Sequence, residues 1–239
     1  DGRRPVAVRV RLYDGQNLAA GSQAAKGPVV RDDRPEVDDR LAPSVRCMWP
    51  MLHPATRIYV DMKIKENYLA GRWYPRRKED LLAAVDEYLE LKTAPPRGAP
   101  FAIVSPHAGY AFSGRTAGVC FAAVRGGTYD EVCVIAPVHR RRVRGIAQVE
   151  THGAFHTPIG DSPIRKLAID HPLAKSNDDA FEDEHAVEIE IPFLRRLFGE
   201  IPVSAILVGA IKPEEISGLA EAIDAASRKN TLFVASSDF

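Results

Sequence analysis

Net charge is the first thing this chain lacks. Its 32 lysines and arginines are matched by 32 aspartates and glutamates, so no bulk field draws it to nucleic acid or to an anionic membrane surface. Cysteine is scarce: Cys47, Cys120 and Cys133 show no C-x-x-C spacing, which indicates neither a disulfide framework nor a thiolate metal cluster. Cys120 and Cys133 sit in apolar stretches and are expected in the core. No apolar run approaches the roughly 20 residues of a membrane span, and the amino terminus has no apolar signal core, so the expected location is cytoplasmic. H-E-x-x-H, Walker A, G-x-G-x-x-G and G-x-S-x-G are all missing, which removes the simplest zincin, nucleotide, dinucleotide and hydrolase readings.

Regular patterning is also unevenly spread. Residues 1 to 61 carry mixed charges and turn formers such as Asp14-Gly15 and Asp32-Asp33-Arg34-Pro35, and are expected to form a largely irregular extension. Val6 to Tyr13 and Arg57 to Asp61 are its strand-like pieces. From residue 62 the pattern becomes regular. Lys78 to Leu91 spaces Leu81, Leu82, Val85, Tyr88 and Leu89 as one face of a helix. A second helix is predicted from about Gly114 to Arg125, and a third from Glu184 to Phe198, bent or restarted at Pro192. A fourth follows Pro213, where proline and two glutamates suit a first turn. Between them lie apolar strands, two ending at His107 and His139 and two spanning Val203 to Val208 and Leu232 to Ala235. Strands alternating with helices predict an α/β fold with a mostly parallel, doubly wound sheet. The chain begins at Asp1 and stops at Phe239, just after a strand, which reads as a fragment, incomplete at its C-terminal side.

What is present is a repeated ending. Two apolar runs, Phe101-Ala-Ile-Val-Ser-Pro-His107 and Val132-Cys-Val-Ile-Ala-Pro-Val-His139, each close on proline and histidine, and Thr231-Leu-Phe-Val-Ala-Ser-Ser-Asp238 delivers a carboxylate the same way. Open α/β sheets bind ligands beyond the carboxyl ends of their strands, so His107, His139 and Asp238 are expected to share one crevice. Two imidazoles and a carboxylate are donors for non-haem iron or zinc. Alternatively, Asp238 caps a following helix. Glu182-Asp-Glu-His185-Ala-Val-Glu188 places His185 and Glu188 three apart. On a helix they would share a face, and a carboxylate there could fix an imidazole tautomer; a charged first turn is the plainer reading. Arg140-Arg-Arg-Val-Arg144 is either a solvated basic loop or an anion-attracting rim. His152 and His156 are four apart, but Gly153 and Pro158 interrupt any helix that would pair them.

Taken together, Ala70-Gly-Arg-Trp-Tyr-Pro75, Ser105-Pro-His-Ala-Gly-Tyr110, Ala136-Pro-Val-His139, Thr157-Pro-Ile-Gly160, Asp183-Glu-His-Ala-Val-Glu188, Ile191-Pro-Phe193, Val208-Gly-Ala210 and Ser236-Ser-Asp-Phe239 resemble the Memo family, whose prokaryotic members are called AmmeMemoRadiSam system protein B. The resemblance spans residues 62 to 239 and leaves 1 to 61 outside. It implies a fold similar to class III extradiol dioxygenases, with iron or copper as cofactor, His107 and His139 as metal ligands and Asp238 as a pocket residue. It places a further histidine and a third metal-site ligand beyond Phe239. His185 and Asp238 are then the expected catalytic residues, with His185 or that later histidine as acid/base. A redox or dioxygenase-like role follows, with a radical-SAM enzyme and an AMMECR-like protein as partners. The alternative, also implied by resemblance, is a non-catalytic module on a vestigial dioxygenase fold that receives a peptide or a partner protein in the crevice.

Overall fold

The computed structural model describes residues 11–14, 45–49, 56–91 and 98–238, with side chains from Lys63 onward. The chain divides into two compact units, Asp1–Lys63 and Ile64–Phe239. In the first, β1 (Arg11–Asp14) and β2 (Val45–Trp49) both pair antiparallel with β3 (Thr56–Lys65). Strand therefore occurs within the segment read as largely irregular. The expected Val6 to Tyr13 strand survives in β1, and its first half lies outside the described residues.

The second unit is α/β. After α1 (Lys78–Leu89) come β4 (Ala102–Ser105), α2 (Tyr110–Ala122), β5 (Glu131–Pro137), the short β6 (Ile146–Gln148), β7 (His152–Phe155), β8 (Ser162–Pro163) and β9 (Ala174–Ser176). Then follow α3 (Ile191–Phe198), β10 (Val203–Val208), α4 (Ile216–Ala226) and β11 (Thr231–Ser236). Six strands form one mixed sheet in the order β4-β11-β5-β10-β6-β9. Its first four strands are mutually parallel, β6 runs antiparallel to β10, and β9 is parallel to β6. β6 and β9 are three residues each, too short to register as a period in the sequence.

Alternation along β5 shows why the sheet carries helices on both sides. Val132, Val134 and Ala136 join a core containing Leu81, Val85, Phe121 and Phe193 from α1, α2 and α3. Cys133 and Ile135 face a second core with Leu219 and Ile223 from α4. Successive strand residues point to opposite faces, so a run apolar at every position is buried twice over. Cys133 is fully buried as expected, whereas Cys120 is only partly covered. In the larger core the rings of Phe121 and Phe193 stack at 4.9 Å and 6°. No helix among the described residues is long and apolar enough to cross a membrane.

Two helix boundaries differ from the sequence reading. α2 starts at Tyr110, with the carbonyl of Gly109 accepting from Phe112 and Ser113 N–H; the buried Tyr110 ring opens the apolar face that the periodicity placed later. The third helix does not reach back to Glu184. Residues 188–190 form one 3₁₀ turn, and Pro192 lies in the first turn of α3, where its missing N–H costs nothing.

α1 and α2 cross where α2 has no side chain. A Cβ on Gly118 would lie 2.4 Å from Tyr88 Cβ and 2.6 Å from the Tyr88 carbonyl, well inside contact distance with a backbone that cannot swing away. Gly118→Ala is expected to cost about 1–3 kcal/mol through this overpacking, outweighing the roughly 1 kcal/mol that an open helical site would gain. Urea denaturation showing an unchanged or higher midpoint would contradict this packing.

Candidate metal centre

β4, β11 and β5 are adjacent, parallel and closely in register: Ser236 pairs with Ser105, and Ala235 with Ile135. Their carboxyl ends therefore emerge together. His107 follows β4 by two residues, His139 follows β5 by two, and Asp238 follows β11 by two. The strand ends lie together as expected, and His185 approaches them from the turn that precedes α3.

The three histidines converge. One ring nitrogen from each of His107, His139 and His185 lies within 4.8 Å of the others, a spacing that can hold one metal ion. Ring centroids are 5.2 Å apart for His107 and His139, 5.4 Å for His107 and His185, and 4.4 Å for the stacked pair His139 and His185. His107 is 1% exposed and His185 9%, whereas the His139 side chain is 36% exposed, so the cluster opens toward solvent at His139. Trp73 packs on His185 with 4.6 Å between ring centres; in the sequence it figures only within the motif at residues 70–75, with no role attached.

Asp238 is beside this group rather than in it. Its Oδ1 accepts the His107 backbone N–H at 3.3 Å, and Oδ2 stands 3.4 Å from His107 Nε2. His107 Nε2 and His185 Nδ1 are buried and make no hydrogen bond, although the latter lies 3.2 Å from Glu184 Oε1. A buried polar atom left without a partner is costly, and a cation bound in the cluster could satisfy such an atom. Desolvation lowers the pKa of both His107 and His185, against the opposing pull of Asp238 on the first and Glu184 on the second. Burial thus favours the neutral rings that metal coordination requires. The donor set fits a metal ion, with three neutral imidazoles in place of the two-histidine, one-carboxylate set read from the strand ends.

The carboxylate that orients an imidazole is Glu184, and the ring is that of His139. Glu184 Oε2 accepts His139 N–H at 2.6 Å, and Oε1 sits 2.9 Å from His139 Nδ1. Oε1 also takes the backbone N–H groups of His185 and Ala186 at 2.9 and 3.2 Å. An ionised carboxylate only accepts, so His139 Nδ1 carries the proton and Nε2 is left for a ligand. The expected pairing of His185 with Glu188 on a helical face is not formed, because residues 184–187 are not helical. Glu188 instead accepts from Tyr68 N–H, Leu69 N–H and Tyr74 Oη at 2.8–2.9 Å. It ties down the loop that carries Trp73.

The other candidates stay outside the cluster. His156 pairs with Asp161, and His152 lies 3.9 Å from Asp178. The basic run after His139 does not act as a unit: Arg141 approaches Glu182 at 3.7 Å, while Arg144 bonds Glu215 and the Ala210 carbonyl. Arg140 is close enough to disfavour charge on His185.

Among known families, a model described as Memo-like protein matches residues 65–239. A MEMO1 family protein of Pyrobaculum arsenaticum is 31% identical over 194 residues, covering 74% of this chain and 69% of the relative. Another, from Thermotoga maritima, is 32% identical over 189 residues, 71% of this chain and 68% of that protein. The protein memo-1 homolog of Caenorhabditis elegans is 30% identical over 71% of this chain, which spans half of the worm protein.

Glu184 is expected to link stability to pH. Desolvation works to raise its pKa, but the bonds from His139 and Ala186 outweigh it and hold the group below 4.5. A carboxylate with a depressed native pKa stabilises the fold above its unfolded value and loses that contribution as pH falls through the native one. Glu184→Gln should therefore cost about 1–3 kcal/mol at neutral pH, and less as the wild type is acidified below 4.5. Urea titrations at neutral and acidic pH measure the difference, and a gap independent of pH would contradict the assignment.

Proposed function

The chain belongs to the Memo family, and from that premise we propose that it is a metal-binding protein whose ion sits between His107, His139 and His185 in a redox or dioxygenase-like site. The observation that carries this reading is the convergence of three ring nitrogens within 4.8 Å at the strand ends. Imidazole suits iron, copper and zinc; family resemblance favours iron or copper. Such an ion, when bound, would supply electron transfer and open positions for an oxygen-bearing ligand.

The residues of the chain have distinct tasks in this reading. His107 and His185 offer buried, neutral nitrogens, and His139 offers Nε2 at the solvent side with Glu184 fixing its ring. Because all three donors are uncharged, an ion there keeps its full positive charge and favours an anionic or strongly polar ligand. Asp238 is a pocket residue, exposed enough to meet that ligand, with Oδ2 3.4 Å from His107 Nε2. His185, expected from the sequence as acid/base, is assigned here as the third donor. Work alongside a radical-SAM enzyme and an AMMECR-like protein is the setting we attach to the site, supported by the family resemblance.

Elemental analysis of protein purified without oxygen tests the reading. Wild type is expected to carry iron or copper in near one-to-one amount, and the double variant His107→Ala, His139→Ala is expected to lose it. Equal metal in the folded double variant would overturn the proposal.

A further inference from the structure

Behind His107 lies a fully buried polar chain that the metal-site reading does not use. Ser105, Glu190 and Ser236 are 0%, 1% and 3% exposed. Ser105 and Ser236 are register partners on β4 and β11, so their side chains leave the sheet on the same face, and both reach Glu190. Ser105 Oγ donates to Glu190 Oε2 at 2.9 Å. Ser236 Oγ has three neighbours: the Ala186 carbonyl oxygen at 2.7 Å, Glu190 Oε1 at 2.9 Å and His107 Nδ1 at 2.9 Å.

A proton count decides how these bonds run. A hydroxyl has one proton to give and two lone pairs to receive with. The Ala186 carbonyl can only accept and makes the shortest contact, so the Ser236 proton goes there. The remaining two neighbours must then donate to Ser236 Oγ. For His107 that requires Nδ1–H, and for Glu190 it requires a protonated Oε1. Any other assignment leaves a buried acceptor unpaired, at a cost of about 1–3 kcal/mol.

We propose that Glu190 is held as a neutral carboxylic acid and that, together with Ser236, it is a positioning residue locking His107 in the Nδ1–H tautomer, which presents the Nε2 lone pair to the histidine cluster. Burial independently favours the neutral acid, pushing Glu190 up to about 8 against the pull of the two serine hydroxyls. The competing tautomer would turn an Nε2–H toward Asp238 Oδ2, 3.4 Å away, and close the donor position. His107 and His139 then reach the cluster by one device in two forms: each ring proton is held on Nδ1, by a serine backed by an acid in the first and by a carboxylate in the second. The proposal deepens the metal-site reading and rests on it for the purpose of the lock, but the tautomer is measurable with no ion present.

The experiment uses metal-free protein labelled with ¹⁵N-histidine, whose long-range proton–nitrogen spectrum reports which ring nitrogen of His107 is protonated. Wild type is expected to show Nδ1–H. Glu190→Gln should keep it, because the amide N–H₂ donates to Ser236 as the acid does while its oxygen accepts from Ser105. Ser236→Ala should shift His107 toward Nε2–H, the form a free imidazole favours. An infrared difference spectrum of wild type against Glu190→Gln at neutral pH should contain a carboxylic-acid C=O band. Wild-type Nε2–H overturns the lock and depends on no variant folding; a missing acid band against folded Glu190→Gln overturns it as well. Titration with iron(II) or copper separates the two proposals: Ser236→Ala should bind about 10- to 100-fold more weakly, and unchanged affinity alongside a shifted tautomer would overturn the positioning role. A wild type that shows the tautomer and the acid band yet takes up no metal supports the lock and overturns the metal site alone.

Discussion

Parallel pairing of β4, β11 and β5 is the constraint from which the site follows. Backbone hydrogen bonds fix the three strands side by side with Ser105 beside Ser236 and Ile135 beside Ala235, so chains that reverse direction two residues later do so at one edge. Pro106 just after β4 and Pro137 at the end of β5 deny the ladder another donor, and His107 and His139 are released where the sheet stops protecting its backbone. The register also aligns the two serine side chains underneath, which gives the site a buried polar floor as well as its rim.

Charge placement around that edge is graded from inside to outside. Glu190 lies deepest and is kept neutral by burial; Glu184, one layer out, is kept ionised by the N–H groups pointed at it. Asp238 is on the surface. Two carboxyl groups so close to the cluster would otherwise compete for its protons, and the differing environments of Glu184 and Glu190 push their pKa values in opposite directions. Glu188, close in sequence to two of them, serves the loop at residues 68–74 instead.

The strand ends were legible in the sequence because short apolar runs mark β4, β5 and β11, whose exits can be counted nearly to the residue. That sufficed for His107, His139 and Asp238. The place of His185 was misjudged for a physical reason: Glu184-His-Ala-Val-Glu188 is compatible with a helix by spacing, but its carboxylates bind backbone N–H groups at His139 and Leu69, and those long-range bonds win over local propensity. Glu190 was invisible because a glutamate before Ile-Pro-Phe looks like an acidic first turn, and only the folded sheet shows that its neighbours are two serines 85 and 46 residues away. Trp73 is part of the motif at residues 70–75, but its role was not readable, since packing against an imidazole leaves no periodic trace.

That indole has a practical consequence. Of the chain's two tryptophans, Trp73 lies 4.6 Å from the His185 ring on a loop anchored by Glu188, so its distance to the cluster is set by the fold rather than by chance encounters. Imidazolium and redox-active ions both quench indole emission at such range. The protein therefore carries its own fluorophore at the wall of the cluster, and occupancy there can be followed by light without attaching a dye.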